Sequence, residues 1–258
     1  MGDSVSRKAP ELSLIGLTGL PEIRTGDDLA ALIVEAVDSL GLAFRPGDVL
    51  VVTQKVVSKA EGRVVSLRDA APSPLANSWA ALLAKDARLV ELILREARRI
   101  VRMDRGVLLA ETQHGFICAN AGVDRSNLPD QECVALLPLD PDGSAKAIRD
   151  RILALCRVEV GVLISDTFGR PWRTGLTNVA IGVSGLLPLR DYGKIGDDFG
   201  RDLKATIIAV ADELAAAAEL VMGKTERIPA VLIRGYRYPE GEGRASMLLR
   251  PPEEDLFR

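Results

Sequence analysis

Aromatic residues are scarce in this chain: five Phe, three Tyr and two Trp in 258 residues. Histidine is scarcer, with His114 alone, so a Ser-His-Asp triad or a histidine-rich metal centre has almost nothing to draw on. The three cysteines, Cys118, Cys133 and Cys156, lack Cys-x-x-Cys spacing. An odd number with no leader-like start reads as reduced thiols in a cytoplasmic protein, each packed as a small hydrophobe. No apolar run reaches the roughly 20 residues of a membrane helix. Net charge is only −3 with Lys and Arg scattered, which offers nucleic acid no basic stripe. Gly-x-x-x-x-Gly-Lys-[Ser/Thr], Gly-x-Gly-x-x-Gly and His-Glu-x-x-His are also missing, and with them the common phosphate cradles and the zincin helix.

What is present is an ordinary globular balance, 47% hydrophobic and 27% charged, on a chain long enough for a large core. Leu14 to Leu20 reads as extended, ending at Gly19-Leu20-Pro21. Asp27 and Asp28 cap a helix whose apolar face is Leu29, Leu32, Ile33, Ala36, Val37 and Leu40. Val49 to Val57 reads as a strand whose apolar first half is covered on both faces. A long helical region is predicted over Leu75 to Val101, then a hairpin of Gly106 to Glu111 and Gly115 to Ala119. Asp140-Pro141-Asp142-Gly143 starts a helix reaching about Cys156. Val158 to Ile164 and Asn178 to Val183 read as strands, and Asp191 to Gly200 as an exposed loop. Asp202 to Met222 reads as a helix stopped by Gly223, with Leu220 among its core positions, and Ile228 to Ile233 as a last buried strand. The class is mixed, α+β.

Two polar strings carry the chemistry. Ser165-Asp166-Thr167 follows the apolar strand, and a carboxylate and hydroxyl at a strand's end suit Mg²⁺ or Mn²⁺, which prefer oxygen. Arg170 and Arg173 offer guanidinium forks for phosphate or carboxylate. Asn120-Ala-Gly-Val-Asp124-Arg-Ser-Asn127 holds a second carboxylate and an amide; Asp and Asn are also ordinary turn residues. Lys55, Lys59 and Arg63 can neutralise phosphate oxygens, or simply decorate a helix. Met222-Gly223-Lys224-Thr225 permits close backbone approach, or merely ends a helix.

These strings together resemble the coenzyme F420-0 gamma-glutamyl ligase family. The likeness rests on Gly19-Leu20-Pro21, Gly26-Asp27-Asp28-Leu29, Gly47-Asp48-Val49-Leu50-Val51-Val52 and Ser58-Lys59-Ala60-Glu61-Gly62-Arg63. It continues through the Asn120–Asn127 string, Leu137-Pro138-Leu139-Asp140-Pro141-Asp142-Gly143-Ser144, Ser165 to Arg173, Ala211-Asp212-Glu213, Met222-Gly223 and Ile228-Pro229-Ala230-Val231. The resemblance implies a cytoplasmic ligase that uses GTP to activate the carboxylate of a deazaflavin precursor, coenzyme F420-0. L-Glutamate would displace phosphate from the acyl phosphate, with further gamma-linked glutamates added in later cycles.

By position, Asp124 and Asp166 would ligate one divalent ion, Mg²⁺ or Mn²⁺, and Thr167 with the backbone at Gly223 a second. K⁺ is a further candidate cation. Asp124, Asp166, Arg170 and Arg173 would be catalytic. Gly19, Leu20, Pro21, Glu22, Gln54, Lys55, Lys59, Asn127, Val221, Met222, Gly223 and Lys224 would surround GTP, although Lys224-Thr225-Glu226 stands where a more acidic, glycine-rich turn is expected. The implied architecture is a tail (1–12), one ligase domain (13–245) of two interlocked α/β subdomains around an extended mixed sheet, and a second tail (246–258). The implied assembly is a homodimer with no nucleic-acid or membrane partner. Alternatives are a ligase of the same scaffold acting on another acid or amino acid, and a GTP-binding module without turnover.

Overall fold

The computed structural model describes residues 9–128, 130–193 and 206–255. In chain order the elements are β1 (Ser13–Gly16), α1 (Leu29–Ser39), β2 (Val49–Thr53), α2 (Gln54–Ala60), β3 (Val64–Ser66), α3 (Pro74–Leu83), α4 (Ala87–Glu96), β4 (Ala97–Asp104), β5 (Val107–Thr112) and β6 (Ile117–Ala119). There follow β7 (Cys133–Ala135), α5 (Pro141–Cys156), β8 (Gly161–Arg170), β9 (Arg173–Ser184), β10 (Arg190–Asp191), β11 (Ile207–Ile208), α6 (Val210–Met222) and β12 (Ala230–Arg234). The fold is mixed α+β. No described helix is long and apolar enough to cross a membrane.

A five-stranded mixed sheet, in the order β1-β12-β2-β8-β9, organises the larger core. Its only parallel pair is β2 with β8, from Val49 opposite Gly161 to Thr53 opposite Ser165. Val49 to Val52, Val162 to Ile164 and Ala230 to Ile233 are fully or almost fully buried, the uninterrupted apolar pattern of strands covered on both faces. Helix α5 packs on β8 and β9, and α6 on β9, β1 and β12. Asp48 closes one end of the sheet: its buried carboxylate accepts from Arg234 Nε and Nη2 at 2.8 and 2.7 Å and from the Arg45 N–H at 2.8 Å. A separate core joins α3, α4 and β5, the last of these within the three-stranded sheet β4-β5-β6.

Caps set the helix starts. Asp28 accepts from Ala31 N at 3.1 Å and Asp140 from Gly143 N at 3.0 Å, with Pro141 in the first turn of α5, each satisfying a donor the helix cannot. The predicted helix over Leu75 to Val101 is three elements. Ala84 turns left-handed (φ 51°), Asp86 caps a fresh helix by accepting from Arg88 N, and Ala97 onward pairs with β5.

Other expectations shift too. The strand expected to reach Val57 stops at Thr53, where α2 begins. Ile207 and Ile208, expected in a helix, pair with β10, and α6 starts at Val210. The expected helix start at Asp202 and the loop from residue 194 to Gly200 lie outside the described residues. Leu40 and Leu220, expected on core faces, are exposed.

Candidate functional site

β8 does not end at Ile164. It runs on to Arg170 because β9 pairs with it antiparallel beyond the last β2 contact, after a bulge at Ile181 that re-registers the strands. Asp166 and Thr167 therefore sit within a strand, just past the point where β2 turns away into α2. Crevices beyond the carboxyl ends of parallel strands are where open sheets bind ligands. The same divergence brings up Lys55 and Lys59, one helical turn apart on α2 and so on one face.

Asp124 arrives from the other direction. A 3-10 turn over Asn120–Gly122 precedes it, with Asn120, Ala121 and Gly122 all at positive φ. At Gly122 a Cβ would meet Leu137 at 2.7 Å, so glycine is required there sterically as well as conformationally. Backbone bonds to Ala135 then fix Asp124, at 3.0 and 2.8 Å. Its carboxylate accepts from Ser126 N and Ser126 Oγ, both at 2.8 Å, and pairs with Lys55 Nζ at 2.6 Å. Lys55 also donates to Ser126 O and Oγ.

The two carboxyl groups feel each other. Burial pushes Asp166 up to about 6, and the nearby charge of Asp124 adds to that; the Thr167 N–H, Lys55 and Lys224 act against it. Burial works on Asp124 in the same sense, but Lys55 and Ser126 outweigh it and hold that carboxyl below its usual range. One neutralisable carboxyl near one firmly ionised carboxylate, with ammonium groups flanking, gathers opposed charges locally in a chain that is near neutral overall.

Thr167 Oγ1 donates to Asn178 Oδ1 at 2.7 Å and accepts from Lys224 Nζ at 3.0 Å, while Lys224 also pairs with Glu219 at 2.6 Å. Gly223, ending α6, has φ 58° and ψ −165°. Only glycine fits that combination. Glu22 pairs with Lys59 at 2.5 Å, which places the loop after β1 against α2.

Other expected residues are placed differently. The Gln54 side chain is buried, donating to Ser58 Oγ and to the Leu136 carbonyl, so this amide faces the interior. Met222 is buried and Val221 packs towards Gly16, leaving the backbone of that segment and Lys224 as its polar surface. Gly19 has φ 83° with open space around it, Leu20 packs partly on the core, and Pro21 is exposed. Asn127 also takes a left-handed conformation, φ 53°. Arg170 and Arg173 sit at the β8–β9 hairpin tip, with Arg170 donating to Thr174 and Gly175 carbonyls. Arg170 is four positions beyond Asp166 along β8, about 13 Å, so a single chain does not bring these arginines to the carboxylates.

Sequence reasoning missed Asn178 and Ser126. Asn178 is a strand residue in register with Thr167, a position visible only once the hairpin is known. Ser126 lay in the quoted Asp124–Asn127 string, and its Asx-turn geometry was its signal.

Among the described residues no group of three or more His, Cys, Asp or Glu side chains assembles. Two aspartates suit a hard cation that completes its shell with phosphate oxygens and water, as Mg²⁺ does, better than one that needs an all-protein cage. Asn120 Oδ1 and Ser165 Oγ, sequence neighbours of these loops, are buried with no partner among the described residues, further oxygens in polar surroundings still unsatisfied.

The family model described as F420-0:Gamma-glutamyl ligase matches residues 18–235. The Coenzyme F420:L-glutamate ligase of Methanothermobacter thermautotrophicus is 47% identical over 250 residues, covering 96% of this chain and 99% of the relative. The proteins of the same name from Methanopyrus kandleri and Methanocaldococcus jannaschii are 48% and 43% identical, covering 92% and 96% of this chain and 94% and 97% of those relatives. The match spans both aspartate strings, both flanking lysines and the Gly223 turn, and on it the chain belongs to the F420-0:gamma-glutamyl ligase family.

Proposed function

We propose that this protein joins L-glutamate to coenzyme F420-0 in a GTP- and divalent-metal-dependent reaction, working in the cytoplasm as a homodimer. The observation that carries the reading is that Asp124 and Asp166, 42 residues apart, lie near enough for their charges to interact, with Lys55 paired to Asp124 and Lys224 bonded to Thr167 beside Asp166. The relatives' names supply the substrates.

Phosphate and carboxylate repel one another, and a site that joins them must offset both charges. Asp124 and Asp166 would hold one divalent ion, with Thr167 and the Gly223 backbone as candidate ligands of a second; such an ion polarises phosphoryl oxygens and orients them. Lys55 and Lys59 share one face of α2, from which they would take up triphosphate charge. Lys55 exchanges its Asp124 partner for phosphate oxygen when nucleotide arrives. The acceptor carboxylate oxygen then bonds to the γ-phosphorus as the bond to GDP breaks, giving an acyl phosphate. The neutral amine of glutamate adds to that carbonyl, inorganic phosphate leaves, and the amine proton is lost to solvent. The hairpin tip, with Trp172 and Leu176 exposed beside Arg173, supports a second copy as the surface that receives it.

The test is mass spectrometry of F420-0 incubated with GTP, Mg²⁺ or Mn²⁺ and glutamate. A product heavier by one or more glutamyl residues, with GDP and phosphate released, is expected. GTP hydrolysis without that product would refute the acceptor, and no turnover of any kind would refute the enzyme.

A further inference from the structure

The Ala211-Asp212-Glu213 string has no part in the chemistry above, yet Asp212 is placed with care. It lies in the first turn of α6, is largely buried, and accepts from Ala180 N at 2.9 Å. Ala180 adjoins the Ile181 bulge of β9, so one carboxylate oxygen caps an edge-strand N–H. That is a structural role for one oxygen only. Asp212 also lines a cleft of about 210 Å³ whose remaining walls include Phe116, Phe168, Val179, Leu248 and Leu249. Phe116 and Phe168 meet edge to face, centroids 6.3 Å apart. These two phenyl rings belong to a chain with only ten aromatic residues, five Phe, three Tyr and two Trp.

Position ties the cleft to the reaction centre. Val179 is the cross-strand partner of Asp166. Phe168 lies two residues beyond Asp166 on β8, about 6.6 Å along the strand on the same face. Val221 to Lys224, among the residues proposed to face the nucleotide, lie by contrast at the other end of α6. Asp212 and Gly223 are eleven residues apart, about 17 Å along a helix. The Asp124–Asp166 pair thus stands between a polar end suited to phosphates and an apolar end suited to something else.

Resting on the proposed ligase reading, we infer that this cleft seats the deazaflavin ring of the acceptor, with the second Asp212 oxygen accepting a ring N–H. Among the described residues the walls offer no cation, which argues against the carboxylates of glutamate as the occupant. Flat apolar walls with two phenyl rings suit a planar heterocycle, and the single buried acceptor sets its orientation. A flavin-type ring presents such an edge, an N–H between two carbonyls. The volume falls below the roughly 300–1,000 Å³ of pockets that enclose a whole drug-sized ligand, so the site takes the ring system and leaves the phosphate-bearing chain to run towards Asp166. Burial pushes the Asp212 carboxyl upward, opposed by Ala180 N–H, so a second donor improves its surroundings.

The probe is the deazaflavin ring system carrying no phosphate or carboxylate, its binding followed by its own fluorescence. Asp212→Asn keeps an amide oxygen for the Ala180 N–H but turns its other group into a donor, and about tenfold weaker binding is expected from the lost hydrogen bond. Phe168→Ala, the second variant, should weaken it to a similar degree. In steady-state assays both should raise KM for F420-0 and leave KM for GTP within about twofold. Unchanged probe binding in both variants overturns the site. So does a rise in KM for GTP alone, because the base of the nucleotide would then occupy the cleft. Glutamylation by a wild-type protein that does not bind the probe sinks the ring site and leaves the ligase reading standing. Probe binding that is lost in both variants, from a wild type that never glutamylates F420-0, supports the ring site and sinks the ligase reading.

Discussion

Replacing Asp166 with Asn should make the metal-free protein more stable while ending its activity. An aspartate ionises near 3.8 when free, and burial beside Asp124 raises Asp166 to about 6. A carboxyl raised on folding favours the folded state fully below its unfolded value, and that advantage is lost as pH climbs through the folded value. Between pH 4 and 6 the folded protein therefore loses stability that an amide would keep. A difference of about two pH units corresponds to about 3 kcal/mol at neutral pH. The side chain retains some contact with water, which brings the expected gain to about 1–2 kcal/mol. Urea unfolding of both proteins in chelator, at pH 4 and pH 7, measures it. The variant should be more stable at pH 7 and nearly equal to wild type below pH 4. Adding Mg²⁺ or Mn²⁺ should stabilise wild type and not the variant, because binding to the folded state alone shifts the equilibrium. A variant equal to or weaker than wild type at pH 7 in chelator would refute the account of a destabilising carboxylate held in reserve for a cation.

Asp48→Ala removes the partner of Arg234 at the buried end of the sheet and should cost about 3–5 kcal/mol in urea unfolding. Gly182→Ala would press a Cβ to 2.3 Å from the Pro141 carbonyl oxygen, backbone that cannot swing aside, so a loss of at least about 1–3 kcal/mol is expected from the same measurement. Lys224→Gln removes the ammonium that donates to Thr167 Oγ1. Titration with Mn²⁺ and a non-hydrolysable GTP analogue should show more ion bound per chain than in wild type, and equal stoichiometry would remove Lys224 from the second cation's place.

Much of the larger core was legible because its signals are local. Asp28 and Asp140 cap the helices expected of them, and the apolar run at Val49 marks β2. What escaped depends on partners far along the chain. Ala97 to Asp104 contains a mixture of Arg, Ile and Val compatible with a helix face, and only pairing with β5 makes it a strand. Ser165 to Arg170 is polar, so the strand seemed to end at Ile164. Pairing with β9 extends it, with both sides of the hairpin satisfying each other's backbone. Leu220 fits the helical period of α6 but falls outside the arc that meets the sheet. Periodicity gives the face of a helix and not the width of what covers it.

At the candidate site the same distinction decides what a motif could say. The strings named Asp124, Asp166 and Thr167, but not how they are divided. Along a strand, adjacent side chains leave on opposite faces, so Asp166 and Thr167 cannot both reach deep into one coordination shell. The Asp166 carboxylate accepts from Thr167 N at 2.8 Å and feels the charge of Asp124, whereas the Thr167 hydroxyl bonds Asn178 and Lys224. If two cations are held, Thr167 would therefore serve a different one from Asp166. In this chain the Thr167 side already carries an ammonium 3.0 Å from the threonine oxygen, and like charges so close cannot share the place without Lys224 swinging wholly to Glu219, its other partner. If Thr167 does serve a second divalent ion, the balance between Thr167 and Glu219 as partners of Lys224, in a turn expected to be more acidic, would govern whether that ion is taken up.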